Sequence, residues 1–217
     1  MESNEFVKEL EDSNNTLLSQ LKQQPSLEEH ESLNIRQLLK IALKNEMEAT
    51  ELAAYWVHST PEVDVKLGFS RQVGDEARHY HLIADRLHEM GEDLSAFDPL
   101  AAGYSPLFNY LKTLDHTVER VAAGQFTREA IALIKNEQFI ELCRQQGDAK
   151  TAHLYEEIIQ PDETYHQRLG KEVLEKYAKT EELQNQARQA AQKTLELAEE
   201  LQQMAFRKMG VHHTPGC

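Results

Sequence analysis

One short pattern of acid and histidine occurs twice in this chain. Asp75-Glu76-Ala77-Arg78-His79 and Asp162-Glu163-Thr164-Tyr165-His166 both read D-E-x-x-H. In a helix, residues three apart share a face. Each copy therefore aims a carboxylate and an imidazole at one point. A second repeated word, Lys44-Asn45-Glu46 and Lys135-Asn136-Glu137, precedes each copy and adds a lone glutamate. Glu46, Glu76, His79, Glu137, Glu163 and His166 together supply four carboxylates and two imidazoles. That is the ligand set that holds two iron or two manganese ions inside a helix bundle.

The pattern exceeds chance. Glutamate and histidine are common enough here that about one E-x-x-H is expected at random, but requiring Asp before the Glu lowers this to about 0.05 per chain. A glutamate inside an apolar seam is costly unless it is neutralised or paired. Four of them in one core need a counter-charge, and two divalent ions balance four carboxylates. Mixed carboxylate and imidazole donors suit iron, manganese or a mixed pair. Asp75 and Asp162 each stand four residues before a histidine, placed to accept the imidazole N–H within their own helix or across the bundle. On the first helix Glu48 lies almost as close to the apolar face as Glu46; Glu46 is the expected ligand because it shares the repeated word. Glu141, one turn past Glu137, reads as an extra carboxylate near the site or a solvated residue. His81, His88, His116 and His153 fit neither motif and are expected at the surface or in a second layer. Tyr55, Tyr80 and Tyr165 are expected to pack at the core edge with their hydroxyls satisfied.

Helices must position these residues. Ser32 is the expected N-cap of a helix over 33–58, whose seam Leu39, Ala42, Glu46, Ala49, Ala53, Trp56 advances in steps of three and four. Thr60-Pro61 ends it and begins a second helix, 61–90, with Pro61 in the first turn and Gly91 as C-cap. Residues 91–104 read as a crossover. A helix over 105–123 is expected to stop near Gly124, Thr127 to cap a helix over 128–146, and Gly147-Asp148 to turn into a helix over 149–178. A last helix, 180–209, carries an Ala/Leu stripe. Residues 1–31 read as a polar extension with at most a short, loosely held helix, and 210–217 as a disordered tail. The core unit is thus 32–178, followed by an added helix within 179–209.

The chain has 217 residues, 40% of them hydrophobic, few aromatics, and only nine Gly and six Pro, which favours an all-α protein. A net charge of −14 argues against nucleic acid as partner. No apolar run reaches membrane-spanning length, so no membrane is expected. The first residues lack a basic n-region and an apolar h-region, so no signal peptide and a cytoplasmic home are expected. Cys143 and Cys217 do not make a disulfide framework; Cys143 reads as a buried small hydrophobe.

Two helical hairpins joined by a long crossover describe a ferritin-like four-helix bundle. The residues resemble the ferritin-like di-iron carboxylate superfamily, which includes bacterioferritins, rubrerythrins and aldehyde-deformylating oxygenases. Glu46-Met47-Glu48-Ala49 resembles the E-x-x-A first-helix motif, in which the first Glu is the ligand. Gly124 to Gly170, with Glu137 and Asp162-Glu163-Thr164-Tyr165-His166-Gln167-Arg168-Leu169-Gly170, resembles the second half of the aldehyde-deformylating type. Asp75 to Gly91 also resembles an uncharacterised bacterial ferritin-like family. The resemblance covers about residues 33–175. It implies an O₂-dependent di-iron oxidase or oxygenase acting on a small organic molecule, with an electron donor that the sequence does not name. The alternatives are a ferroxidase or iron-handling protein with Fe²⁺ as substrate, or a non-catalytic metal-stabilised interaction protein. No rubredoxin-like cysteine pairs follow the bundle. The appended segments are expected to block shell assembly and leave a monomer or homodimer.

Overall fold

The structure is a computed structural model that describes residues 1–23, 34–209 and 214–216, with the side chains of 20–23 and 208–209 excepted. All regular structure among the described residues is helical. No helix among them is long and apolar enough to cross a membrane.

Helix α1 spans Ser3–Gln23 and α2 Ile35–Ser59. The cap expected at Ser32 lies outside the described residues; Asn34 caps α2, its side chain accepting from the Arg36 N–H at 2.9 Å. Pro61 lies in the connecting turn, between the extended Thr60 and Glu62, and α3 runs Val63–Glu89. The two helices pack along their length as a hairpin.

The crossover ends at α4, Pro106–Leu111, where the Ser105 hydroxyl caps by accepting from Phe108 N–H at 3.0 Å. The expected helix over 105–123 breaks after α4. A fresh start, α5 at Thr117–Val121, is capped by His116 with Glu119 completing a reciprocal box. It does not stop at Gly124. The backbone passes through a π-helical stretch, Ala122–Arg128, directly into α6, Glu129–Gln145. Gly124 is there because a Cβ would lie 2.9 Å from Trp56 Cζ3, so the glycine admits the indole ring rather than ending the helix. Thr127 is buried within this stretch and caps nothing; its hydroxyl accepts from Asn14 Nδ2 at 2.9 Å.

Gly147, with φ 77°, and Asp148 make the expected tight turn. Helix α7, Ala149–Leu154, continues through a π-helical stretch, Tyr155–Ile159, into α8, Gln160–Tyr177. Pro161 brings no N–H to the helical ladder, and the widened turn stands just before it. Helix α9, Glu181–Met209, crosses α4, α5 and the first π stretch.

Within the expected extension over 1–31, residues 24–31 lie outside the described residues, and the described part is a packed helix rather than a loose one. Phe6 and Val7 of α1 are fully buried, and the Ser3 hydroxyl donates to the Ala178 carbonyl at 3.0 Å. Nor are residues 214–216 free, since Pro215 and Gly216 are buried and hydrogen-bonded to Asn45 of α2 and Asn136 of α6.

Among the described residues three apolar clusters form: a small one of Leu18, Ile131, Ile134, Leu195 and Ala198, and two larger cores. One core gathers Leu52, Trp56, Phe69, Phe126, Val173 and Leu174, the other Leu39, Leu43, Ile83, Leu87, Phe139 and Ile159. Along α2, α3, the helix through α6, and α8, a polar layer interrupts the passage from one core to the other. Five of the six expected site residues, Glu46, Glu76, His79, Glu163 and His166, fall in that layer; Glu137 does not.

Candidate metal centre

Six side chains form the layer: Glu46 from α2, Glu76 and His79 from α3, Glu129 from α6, and Glu163 and His166 from α8. None is more than 4% exposed. They make two overlapping groups. Donor atoms of Glu46, Glu76, His79 and Glu163 lie within 4.8 Å of one another, and so do those of Glu76, Glu129, Glu163 and His166. Either group could hold a metal ion.

Glu76 and Glu163 belong to both groups, and each sends one oxygen to each side. Glu76 Oε2 lies 3.4 Å from His79 Nδ1 and its Oε1 lies 3.7 Å from His166 Nδ1. Glu163 Oε1 lies 3.7 Å from His79 Nδ1 and its Oε2 lies 3.0 Å from His166 Nδ1. Glu46 Oε2 approaches His79 Nδ1 at 3.4 Å.

The imidazoles are oriented from behind, across the bundle. His79 Nε2 lies 3.1 Å from Asp162 Oδ2, and His166 Nε2 lies 3.2 Å from Asp75 Oδ2. An ionised carboxylate only accepts, so each Nε2 is the donor and each Nδ1 faces the glutamates. Arginines hold the aspartates in turn: Arg71 Nε donates to Asp75 Oδ2 at 3.2 Å and Arg78 Nη2 to Asp162 Oδ2 at 2.6 Å. Burial works against the Asp75 carboxylate, but His166 and Arg71 outweigh it and hold its pKa below the usual range.

The donor set fits a cation. His79 Nδ1 is buried and has no hydrogen-bond partner, although carboxylate oxygens surround it. Burial pushes the Glu46 carboxyl up to about 7, against the opposing pull of His79. Burial raises Glu129 too, and it raises Glu163 well above the carboxylate range, with Glu76 and Glu129 adding to the effect. Glu76 feels the same burial, yet the facing imidazoles hold it well below that range. Burial pulls the imidazolium of each histidine down. Glu46 and Glu76 nonetheless push His79 up to about 12, and Asp75 and Glu163 push His166 up to about 11. Without metal, the site thus holds its carboxylates together with shared protons, the role that divalent ions would take over.

The ligand expected on the helix over 128–146 is corrected. Glu137 is exposed and borders a surface groove with Leu133, Gln138 and Glu141, while Glu129 stands in the layer. The π-helical stretch before α6 adds a register shift that regular periodicity does not contain. Glu129 had its own signal: Glu129-Ala130-Ile131-Ala132 repeats the Glu-x-x-Ala pattern of Glu46 to Ala49. Glu46 joins the cluster and Glu48 does not. The Glu48 carboxylate accepts from Ser105 N–H at 2.7 Å, Ser105 Oγ at 2.6 Å and Lys44 Nζ at 2.6 Å, and so ties the crossover to α2. Glu141, His81, His88, His116 and His153 are all exposed. Among the tyrosines, Tyr55 is half exposed, and Tyr165 stacks with Arg71, whose guanidinium carbon is 3.5 Å from the ring centroid. Cys143 is fully buried, and burial pushes its thiol up to about 12.

Sequence periodicity also missed the polar wall behind Glu76 and Glu129. Gln72 Nε2 donates to Glu76 Oε1 at 3.0 Å and to Glu129 Oε1 at 2.9 Å, and its own Oε1 accepts from Gln125 Nε2 at 2.7 Å. Arg128 Nη1 lies 3.6 Å from Glu129 Oε1. Tyr155 was missed too. It is fully buried against Phe139, its hydroxyl has no partner, and burial together with the charges of Glu46, Cys143 and Glu163 raises its pKa well above normal.

No curated protein and no solved structure matches the chain. The family described as "Protein of unknown function (DUF455)" matches residues 6–209, nearly the whole sequence, and the chain belongs to that family.

Proposed function

We propose that this protein is a ferritin-like di-iron protein, an O₂-dependent oxidase or oxygenase acting on a small organic substrate. One observation carries the two-ion reading: Glu76 and Glu163 each divide their two oxygens between two histidine-bearing groups. A single-ion site has no use for two carboxylates so divided. The bundle assignment draws on two helical pairs, α2 with α3 and α6 with α8, separated by the crossover.

Two iron ions held there would supply the electrons and the open positions that O₂ chemistry needs. The chain supplies the rest. Glu46 and Glu129 cap the two ends of the layer. Asp162 and Asp75 hold the imidazole N–H groups and so keep each Nδ1 aimed inward. The Gln72 amide fixes one oxygen each of Glu76 and Glu129. The apolar cores on both sides exclude water and strengthen every charge interaction in the layer.

Anaerobic Fe²⁺ loading followed by metal analysis should give about two irons per chain. Oxygen uptake should then continue in the presence of a reductant and an organic substrate. Uptake that stops when the bound iron is oxidised, and resumes only on adding Fe²⁺, assigns iron itself as the substrate. Stoichiometry near zero removes the di-metal reading.

A further inference from the structure

The two Lys-Asn-Glu words share a role that their glutamates do not. Glu46 and Glu137 part, one to the buried layer and one to the surface. Asn45 and Asn136 converge on the same object, the C-terminal segment of the chain. Asn45 Nδ2 donates to the Pro215 carbonyl at 2.9 Å, and Asn136 Oδ1 accepts from the Gly216 N–H at 2.8 Å. The segment thus bridges α2 and α6. Pro215 and Gly216 are buried, and Asn136 is fully so. The site is shaped for this backbone. Gly216 has φ 73°, which disfavours any side chain, and a Cβ there would meet Asn45 Cβ at 3.4 Å. The same Cβ would lie 3.8 Å from Glu46 Oε1, so the segment rests directly over a carboxylate of the candidate metal centre. The Asn136 Nδ2 is buried with no hydrogen-bond partner, a donor left over for a further carbonyl or carboxylate.

We propose that the cleft between α2 and α6, lined by Asn45 and Asn136, is an amide-binding entrance to the metal centre, and that Thr214-Pro215-Gly216 is its removable plug. The inference rests on the metal reading of the centre. Two side chains that offer one donor and one acceptor recognise a peptide unit. An incoming molecule bearing an amide or a carboxylate would compete for the same groups. Among the described residues two side-chain hydrogen bonds hold this short segment, which lies in no helix, so its release leaves the helices as they are.

Three proteins test this: the 217-residue chain, a form lacking residues 214–217, and Gly216→Val. The valine variant keeps the chain length and makes the left-handed backbone untenable, so it should expel the segment. The first readout needs no metal. Carboxypeptidase should release the C-terminal residues of Gly216→Val about tenfold faster than those of the natural chain, as expected if the plug is open for only a tenth of the time. The second is the rate of Co²⁺ entry by stopped-flow absorbance. Both altered proteins should load about tenfold faster to the same final stoichiometry. Equal Co²⁺ entry rates in all three proteins overturn the plug. Equal carboxypeptidase rates overturn the docking itself. If no protein takes up Co²⁺, the metal reading fails and the entrance fails with it, while carboxypeptidase protection still shows separately whether the segment docks.

Discussion

Metal-free protein should lose stability steeply as pH rises from 5 to 8. Glu46 carries the best-defined part. Its carboxyl moves from 4.5 to about 7 on burial. A raised folded pKa means that the folded state holds the proton more tightly. That contribution is complete below the unfolded value and is lost as pH climbs through the folded one. At 1.36 kcal/mol per pKa unit, the Glu46 contribution is about 3 kcal/mol, most of it gone by pH 7. His79 and His166, raised to about 12 and about 11, have the same sign. Each begins to lose its contribution above its unfolded pKa of 6.5 and has lost about 2 kcal/mol by pH 8. Glu129 and Glu163 are also raised and add in the same direction. Glu76 and Asp75 are lowered; their contributions stand above the unfolded carboxylate value and fade only toward acid, below this window. The groups share protons, so the sum is smaller than its parts, on the order of 3–7 kcal/mol. That is a large share of a typical folding free energy of 5–15 kcal/mol. Urea melts of chelator-treated protein at pH 5, 6.5 and 8 should show the midpoint falling at each step. A midpoint that holds or rises across the range would refute the account of a proton-filled acidic layer.

Three further outcomes follow from named contacts. Glu129→Ala should reduce bound metal from about two ions per chain to one or fewer, while Glu137→Ala leaves it unchanged; metal analysis showing the reverse would restore Glu137 as the ligand. Asp75→Asn and Asp162→Asn remove the acceptors behind the imidazoles and should each weaken metal binding about 10–100-fold, measured by competition with a chelator; unaltered affinity would mean the aspartates are only surface ion-pair partners. Gly170→Ala puts a Cβ 2.6 Å from the backbone nitrogen of Phe126, a clash expected to destabilise the protein by about 1–3 kcal/mol. Gly74→Ala meets nothing within 4 Å in mid-helix and should stabilise by about 0.5–1 kcal/mol; thermal melts with the two in the opposite order would contradict the packing of α8 against the π-helical stretch.

The legible parts of the site were those written in local spacing. Glu-x-x-His needs only one helical turn to bring its groups together, so Glu76, His79, Glu163 and His166 could be read from the sequence and stand in the layer. The α2–α3 hairpin and the Gly147-Asp148 turn were legible for the same reason, since caps and turn residues act within a few positions. The α6 carboxylate was not legible from helical periodicity, although Glu129 carries the same Glu-x-x-Ala word as Glu46. A π-helical turn changes the register by a fraction of a turn, and no period of 3.6 reveals it. The burial of seven consecutive residues, Ala122 to Arg128, is set by what packs on them from α8 and α9, which is tertiary information. The repeated Lys-Asn-Glu word misled because its two glutamates part, Glu46 to the layer and Glu137 to the surface. Asn45 and Asn136 take up one C-terminal segment, a contact between distant parts of the chain that leaves no periodic trace.

The two halves of the chain are not independent sites placed side by side. The histidine of each motif is oriented by the aspartate of the other, His79 by Asp162 and His166 by Asp75, and each shared glutamate serves both histidines. A half-chain would therefore hold neither a complete group nor a correctly oriented imidazole. The exchange also explains why Asp stands next to Glu in both motifs. Adjacent positions on a helix point about 100° apart, so one residue can face the buried layer while its neighbour reaches sideways to the imidazole on the facing helix. The D-E-x-x-H pattern is thus two interlocked instructions, one for the carboxylates and imidazoles gathered in the buried layer and one for the contacts between α3 and α8.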